Sequence, residues 1–174
     1  MQSLITDLTI IQQLSQEREA ENDAFRSFLK NQKSESVDEL VHAINNEITP
    51  KIDCTTCGNC CKSLMININT QEAEALAAHL STTVEDLKEK YIEESLQGRM
   101  IMNTIPCHFL SGTKCSVYEY RFEGCRDFPH LHQNNFSGRL FGILMHYAMC
   151  PIIFNVVEEL KIQVGFRNNN EIFV

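Results

Sequence analysis

The chain has no apolar run that approaches the ~18 residues a membrane span needs, so no membrane partner is expected. Its first residues, Met1-Gln2-Ser3-Leu4-Ile5-Thr6-Asp7, hold no basic residue and carry an early acid. That is unlike a secretory leader, and a cytoplasmic location is expected. Positive charge is scarce: 15 Lys and Arg face 23 Asp and Glu, a formal charge of −8. With no basic stripe to neutralise phosphates, nucleic acid is not expected as a partner, nor is an anionic membrane surface. Three signatures of catalysis are also missing: a Gly-rich phosphate loop, a nucleophile elbow and an H-E-x-x-H pair.

What the chain does have is cysteine. It holds 8 in 174 residues, within an otherwise ordinary balance of 43% hydrophobic and 22% charged residues. The length suits one domain with a sizeable core. Four cysteines fall in Asp53-Cys54-Thr55-Thr56-Cys57-Gly58-Asn59-Cys60-Cys61, spaced C-x2-C-x2-C-C. Two thiolates separated by two residues can chelate one ion, because a short loop turns both sulfurs to one side. Gly58 and Asn59 tolerate the left-handed backbone that such a loop needs. The other four, Cys107, Cys115, Cys125 and Cys150, form a second block expected to fold back onto the first.

The neighbours Cys60 and Cys61 are the most informative pair. Adjacent side chains point apart, so one tetrahedral ion does not readily take both. Eight thiolates divide into two tetrahedral sets of four, or serve one four-iron cluster with four left over. Two simpler readings compete. A cysteine can be a small core hydrophobe, which suits single members of the second block better than four thiols beside Thr, Gly and Asn. Disulfides need an oxidising compartment, and nothing here exports the chain.

Along the chain, Leu4, Ile5, Leu8, Ile11, Phe25, Phe28 and Leu29 predict one or two amphipathic helices in residues 1–33, joined by a solvated charged run over 16–23. Residues 1–36 read as an N-terminal helical extension that packs on the core or offers a surface to a second copy of the chain or a protein partner, and 37–174 as the cysteine-cluster domain. Ser36 and Glu39 fit a capping box, before a helix whose face carries Val37, Leu40, Val41, Ile44 and Ile48 and which Pro50 ends. A short strand is expected at 64–68. Helices capped by Thr70 and Thr82 then make a hairpin spacer over 70–92. Residues 99–103 suit a strand, and the Ser111-Gly112-Thr113-Lys114 turn puts Cys107 and Cys115 on opposite arms of a hairpin. Apolar helices are expected at 138–149 and 152–160, with Pro151 tolerated in a first turn. An edge strand at 161–166 and a turn at 168–170 complete a mainly α fold with a few short β-strands, small, irregular and centred on metal.

Arg121 and Arg126 flank Cys125. A zinc held by four thiolates is net anionic, so a guanidinium nearby would stabilise it; the alternative is an ordinary surface ion pair. His130 is a candidate ligand, and His108, His130 and His132 are candidate acid–base groups should the site be catalytic. A C-x2-C-x2-C triplet of Cys54, Cys57 and Cys60 with remote Cys150 would also suit an iron–sulfur cluster, although the further C-x3-C-P of bacterial ferredoxins is missing. Labile, exposed thiolates would instead suit a metal chaperone or store.

The blocks taken together resemble a known family. Cys54-x2-Cys57-Gly58-x-Cys60-Cys61, Pro106-Cys107-x-Phe109-Leu110, Cys115-Ser116-x-Tyr118-Glu119-x-Arg121, Cys125-Arg126-x-Phe128-Pro129 and Cys150-Pro151 are similar to the zinc- or iron-chelating CxxCxxCC cysteine-cluster family, YkgJ-like, over roughly residues 37–161. The resemblance implies that all eight cysteines, Cys54, Cys57, Cys60, Cys61, Cys107, Cys115, Cys125 and Cys150, ligate metal. It implies zinc or iron ions, or a 4Fe-4S cluster, as cofactor. A flagellin lysine methylase shares a similar cluster, so relatives include enzymes. Two positions depart from the family pattern: Phe122 stands where a proline usually follows Arg121, and His108 interrupts the commoner PCPFL. Neither departure removes a cysteine.

Overall fold

The computed structural model describes residues 3–167. In chain order the helices α1 (Leu8–Glu17), α2 (Glu19–Leu29) and α3 (Ser34–Ile48) come first, followed by the short α4 (Cys54–Cys57) and α5 (Asn59–Ser63). Strand β1 (Asn67–Ile68), helices α6 (Thr70–His79) and α7 (Val84–Tyr91), and strands β2 (Ile92–Glu94) and β3 (Met100–Met102) come next. The hairpin β4 (Leu110–Ser111) and β5 (Lys114–Cys115) precedes α8 (Glu123–Asp127), α9 (Phe136–Leu144) and α10 (Pro151–Gln163). The fold is mainly α with a few short strands, as the periodicity predicts.

The chain divides into two compact units. One combines Met1–Asp53 with Pro129–Val174, and the other is Cys54–Phe128. The boundary that the sequence suggests at residue 36 falls inside α3, within the first of these.

The first unit is a helical assembly around α10. Ile11, Phe25, Leu29, Val41, Ile48, Phe136, Leu140, Tyr147, Phe154 and Val157 are buried in it. Helix α3 packs against α9 and α10, and α2 against α9. The apolar rows foreseen for residues 1–36 mostly point into this core. Among the described residues of that segment, Ile10 is the one large hydrophobic side chain left exposed.

Several local readings need correction here. The charged run 16–23 is not simply solvated: Arg18 pairs with Glu158, Glu21 pairs with Lys161 at 2.7 Å, and Asn22 is buried. Tyr147 donates to the same Glu158 at 2.6 Å, and burial beside that carboxylate pushes the phenol up. Ser36 is no cap, because α3 starts at Ser34 after Lys33, without a side-chain capping bond. Asp38 is instead buried. Its carboxylate accepts from the amides of Asn135 and Phe136, at 2.7 and 2.8 Å, at the start of α9. A carboxylate there satisfies orphan amides and favours the positive helix end. Helix α9 runs 136–144 rather than 138–149.

At the far end there is no edge strand. Helix α10 continues to Gln163 and closes on Gly165 in the left-handed region, with the Phe166 amide donating to the Lys161 carbonyl at 2.9 Å. That 6→1 closure is the usual glycine ending of a helix. The turn expected at 168–170 lies outside the described residues. At the other end, the Asn155 side chain brackets Ile5, accepting from its amide at 2.9 Å and donating to its carbonyl at 2.7 Å.

The second unit has its own core of Ile68, Ala73, Leu76, Leu87, Met100, Met102, Phe109, Val117 and Phe122. Strands β1, β3 and β2 form an antiparallel sheet in that order, with Ile68 opposite Met100 and Ile92 opposite Met102. The caps fall one residue away from expectation. Asn69, not Thr70, caps α6 in a full capping box with Glu72, and Thr83, not Thr82, caps α7. In both cases the residue with extended backbone, one position over, holds the cap.

Candidate metal centre

The first cysteine cluster is helical rather than a bare loop. Helices α4 and α5 each make about one turn, with Gly58 between them in the left-handed conformation at φ 61°. Gly58 is required on a second ground. A Cβ there would lie 2.8 Å from the Thr113 carbonyl oxygen, so this corner sits directly against the turn of the β4–β5 hairpin. The hairpin aligns Leu110 with Cys115 and Ser111 with Lys114. A backbone bond ties the two cysteine blocks, the Cys107 amide donating to the Cys61 carbonyl at 2.8 Å.

Cys125 arrives on α8, which is anchored from outside the cluster. One oxygen of the Glu72 carboxylate accepts from the Asn69 amide at 2.9 Å, and the other accepts from the Glu123 amide. Glu72 therefore serves the starts of two helices at once. Gly124 lies against Ile66, a methyl of which would be 3.5 Å from an added Cβ. Cys107, Cys115 and Cys125 also pack against the apolar core of their unit. To that extent they are core hydrophobes as well as candidate ligands.

The thiols nevertheless share one electrostatic environment. The Cys61 thiol donates to the Cys60 sulfur, which favours the Cys60 thiolate and brings its pKa down to about 6. The same bond holds the Cys61 proton in place, and burial and the other thiols push Cys61 up further. The two neighbours thus hold one proton between them. Burial raises Cys107, with Cys115 and Cys60 adding to the effect. Burial pushes Cys125 to about 12, reinforced by Cys107, Cys60 and Cys115 and opposed by the Arg121 cation. Cys60, Cys61, Cys107, Cys115 and Cys125, from four separate stretches of chain, therefore act on one another.

Among the described residues, no three Cys, His, Asp or Glu side chains are already arranged to hold a metal ion. The donor chemistry fits all the same. Several thiols in mutual range, most of them protonated, are a set whose protons a soft or borderline cation displaces. The residues nearest to such a role are the five interacting cysteines, with Cys54 and Cys57 on the adjoining α4. Cys54 is exposed and Cys57 half-buried. Cys150 belongs to the first unit, immediately before Pro151 opens α10, and is 8% exposed.

The candidate histidines divide between the two units. His108 is exposed in the second unit, 2.8 Å from the Asn103 side-chain oxygen. His130 and His132 belong to the first unit, and His130 takes a positive φ of 59°. Arg126 donates to the carbonyl of Arg121. The Arg121 guanidinium carbon stands 3.9 Å from the centroid of the Tyr118 ring. Sequence reasoning did not reach the Glu72 bridge or the Gly58–Thr113 contact. For Glu72 the only signal was the Asn69-x2-Glu72 spacing of a capping box.

Comparison with known proteins adds one finding. The family model named CxxCxxCC, described as "Putative zinc- or iron-chelating domain", matches residues 53–141. That span contains Cys54, Cys57, Cys60, Cys61, Cys107, Cys115 and Cys125, and ends before Cys150. No curated protein and no solved structure matches the chain.

Proposed function

Since the chain belongs to this zinc- or iron-chelating CxxCxxCC family, we propose that the unit over Cys54–Phe128 retains a metal that completes its fold, zinc ahead of iron, through cysteine thiolates. The observation that carries the reading is the mutual action of Cys60, Cys61, Cys107, Cys115 and Cys125 across four chain segments. An apolar core does not gather five thiols within electrostatic range of one another without a further use for them. Cys54 and Cys57 extend the donor set by the same C-x2-C geometry. Cys150 is the eighth candidate ligand, and Cys150→Ser tests it separately.

A bound zinc or iron would supply electrostatic cross-linking of segments that the small core joins weakly. The chain's own residues do the rest. Gly58 permits the corner between α4 and α5, the Cys107–Cys61 backbone bond sets the two blocks side by side, and Glu72 holds α8 in place. Thiolate retention of this kind needs a reducing compartment, which we propose is the cytoplasm.

The test is metal content per chain by elemental analysis, with an absorption spectrum, on protein purified without air. Zinc without colour supports the reading. Iron with acid-labile sulfide and visible absorption replaces it with an iron–sulfur cluster. Protein that holds neither metal, before or after reconstitution, overturns it. Serine at Cys60 and Cys125 together should abolish retention.

A further inference from the structure

The first unit holds a short piece of its own chain much as a receptor holds a peptide. Residues 3–6 have no regular structure, and Asp7 then caps α1. Asn155 of α10 grips Ile5 by the main chain alone: Oδ1 accepts from the amide at 2.9 Å, and Nδ2 donates to the carbonyl at 2.7 Å. These are the two hydrogen bonds of residues 3–6 among the described residues. Asn155 is 7% exposed, and its Nδ2 also donates to the Pro151 carbonyl at 2.7 Å. That bond fixes the amide group on its own helix, so donor and acceptor stay aimed at the groove whether or not Ile5 fills it. A buried amide left without a partner is costly, so the place favours an occupant. The occupant is read by an N–H and a C=O, which every residue but proline offers, and so by its extended backbone. The resident segment does not fill the space. A cavity of about 40 Å³ remains against Leu4 and Ile5, both half-buried, room for roughly three water molecules. Its other walls include the apolar Ile48, Phe154 and Ile162, and Arg18 and Glu158, which are paired with each other. Ile162 is 53% exposed, apolar surface left uncovered at the groove.

We propose that this groove on α10 is a docking site for an extended segment of a partner protein, and that residues 3–6 are a resident occupant which the partner displaces. The segment in place shows the backbone chemistry that fits. The unfilled cavity shows which side chains fit better: ones larger than Leu4 or Ile5, such as phenylalanine, because a cavity beside apolar groups forfeits their contacts. The partner segment is therefore extended, has no proline at the bracketed position, and carries a bulky apolar residue there or next to it. Tethering gives the resident segment an effective concentration on the order of millimolar, so a free peptide meets strong competition until that segment is weakened. Metal binding in the other unit is not involved.

The experiment titrates the full chain into a fluorescent peptide of residues 3–8 and reads anisotropy. Ile5→Pro in the chain removes the amide that Asn155 accepts from, and so weakens the resident segment. That variant should bind the peptide at least about tenfold more tightly than the parent does. Asn155→Ala added to it should reverse the gain, with helical circular dichroism retained. A peptide carrying Leu4→Phe or Ile5→Phe should bind severalfold more tightly than the unchanged peptide, and one carrying Ile5→Pro should not bind. The proposal is overturned by an Ile5→Pro chain that binds no peptide, by equal binding to Ile5→Pro and the parent, or by binding indifferent to Asn155→Ala. It is equally overturned if neither phenylalanine peptide gains. A dimer of the parent that Asn155→Ala abolishes would give the groove to residues 3–6 of a second copy, and overturns a foreign partner. Should Ile5→Pro not fold, hydrogen exchange on the parent decides. An Ile5 amide that opens far faster than those of Val156 and Val157 supports a displaceable segment. Equal protection overturns it, since the segment would then leave only when α10 unfolds.

Discussion

The two units of this protein are stabilised in different ways. The unit formed by Met1–Asp53 and Pro129–Val174 has long helices, a contiguous apolar core around α10, and a buried charge network in which Lys161 meets both Glu21 and Glu158. The unit over Cys54–Phe128 has helices of four and five residues at its first cysteines, strands of two and three residues, and a smaller core that borrows three cysteines. Short elements bury little area each, and small cores usually need a staple or an ion. The first unit is thus the kind of structure that hydrophobic burial supports alone. The second is the kind that a metal supports.

Removing the metal should separate the two most sharply. A structural thiolate site contributes on the order of 10 kcal/mol, as much as the whole stability of a typical domain. Chelation under reducing conditions should therefore strip amide hydrogen-exchange protection from residues 54–128 and leave α3 and α10 protected. Equal protection in both units with and without metal would refute the contrast.

The converse perturbation belongs to the first unit. Lys161 is 5% exposed and bridges two carboxylates. Lys161→Met takes the lysine from Glu21 and leaves Glu158 to Arg18 and Tyr147; breaking a buried pair by removing one partner typically costs about 3–5 kcal/mol, the upper bound here. Its unfolding midpoint in urea should fall accordingly while metal per chain stays constant. A midpoint within error of the parent would show that the network is dispensable.

Gly58→Ala probes the second unit by geometry alone. A left-handed alanine is strained, and its Cβ would meet the Thr113 carbonyl oxygen at 2.8 Å. Together these should cost about 2–4 kcal/mol, read as faster metal loss to a chelator. Gly112, whose added Cβ would meet nothing within 4 Å, is the control: Gly112→Ala should pay only the backbone strain.

The finest distinction is protonic. Cys60, held at about 6 by the Cys61 thiol, is already a thiolate at pH 8. Cys61, Cys107 and Cys125 are held above the ordinary thiol range and are still protonated there. Metal binds the thiolate, so a raised thiol must give up its proton on binding, and affinity must rise with pH. The rise should be about tenfold, or ~1.4 kcal/mol, per pH unit for each proton released. Above pH 7 Cys60 adds nothing to that count; below its pKa of about 6 it begins to. Calorimetry in buffers of different ionisation enthalpy counts the protons, and a pH-independent affinity would contradict the thiol assignments.

Legibility in the sequence followed the range of the interaction. The apolar rows of α3, α6 and α10 were readable because a helix repeats every 3.6 residues and the signal lies within the element. Pro50 and Pro151 marked their helix boundaries through local sterics. Thr70 and Thr82 were each read as caps one residue off, and Ser36 caps nothing, because a cap depends on which residue takes extended backbone, and composition leaves that open. The strand expected at 161–166 is the last turn of α10 and its glycine closure, since Val164 and Phe166 suit such a helix end as well as a strand. Nothing in the local sequence of Asp38 or Glu72 singles them out for a distant partner. Their second partners, at Asn135 and Phe136 and at Glu123, lie 97, 98 and 51 residues away.

By itself the sequence determined that the chain is mainly helical and that its chemistry resides in cysteines of the CxxCxxCC pattern, because both are written in short spacings. Only the tertiary structure decided that Cys54, Cys57, Cys60, Cys61, Cys107, Cys115 and Cys125 fall in one unit and Cys150 in the other, that the Cys107 amide bonds the Cys61 carbonyl, and that Glu72 ties the starts of α6 and α8. Those features come from contacts between residues far apart in the chain. Which distant segments meet is set by the packing of the whole core, and no local spacing encodes it.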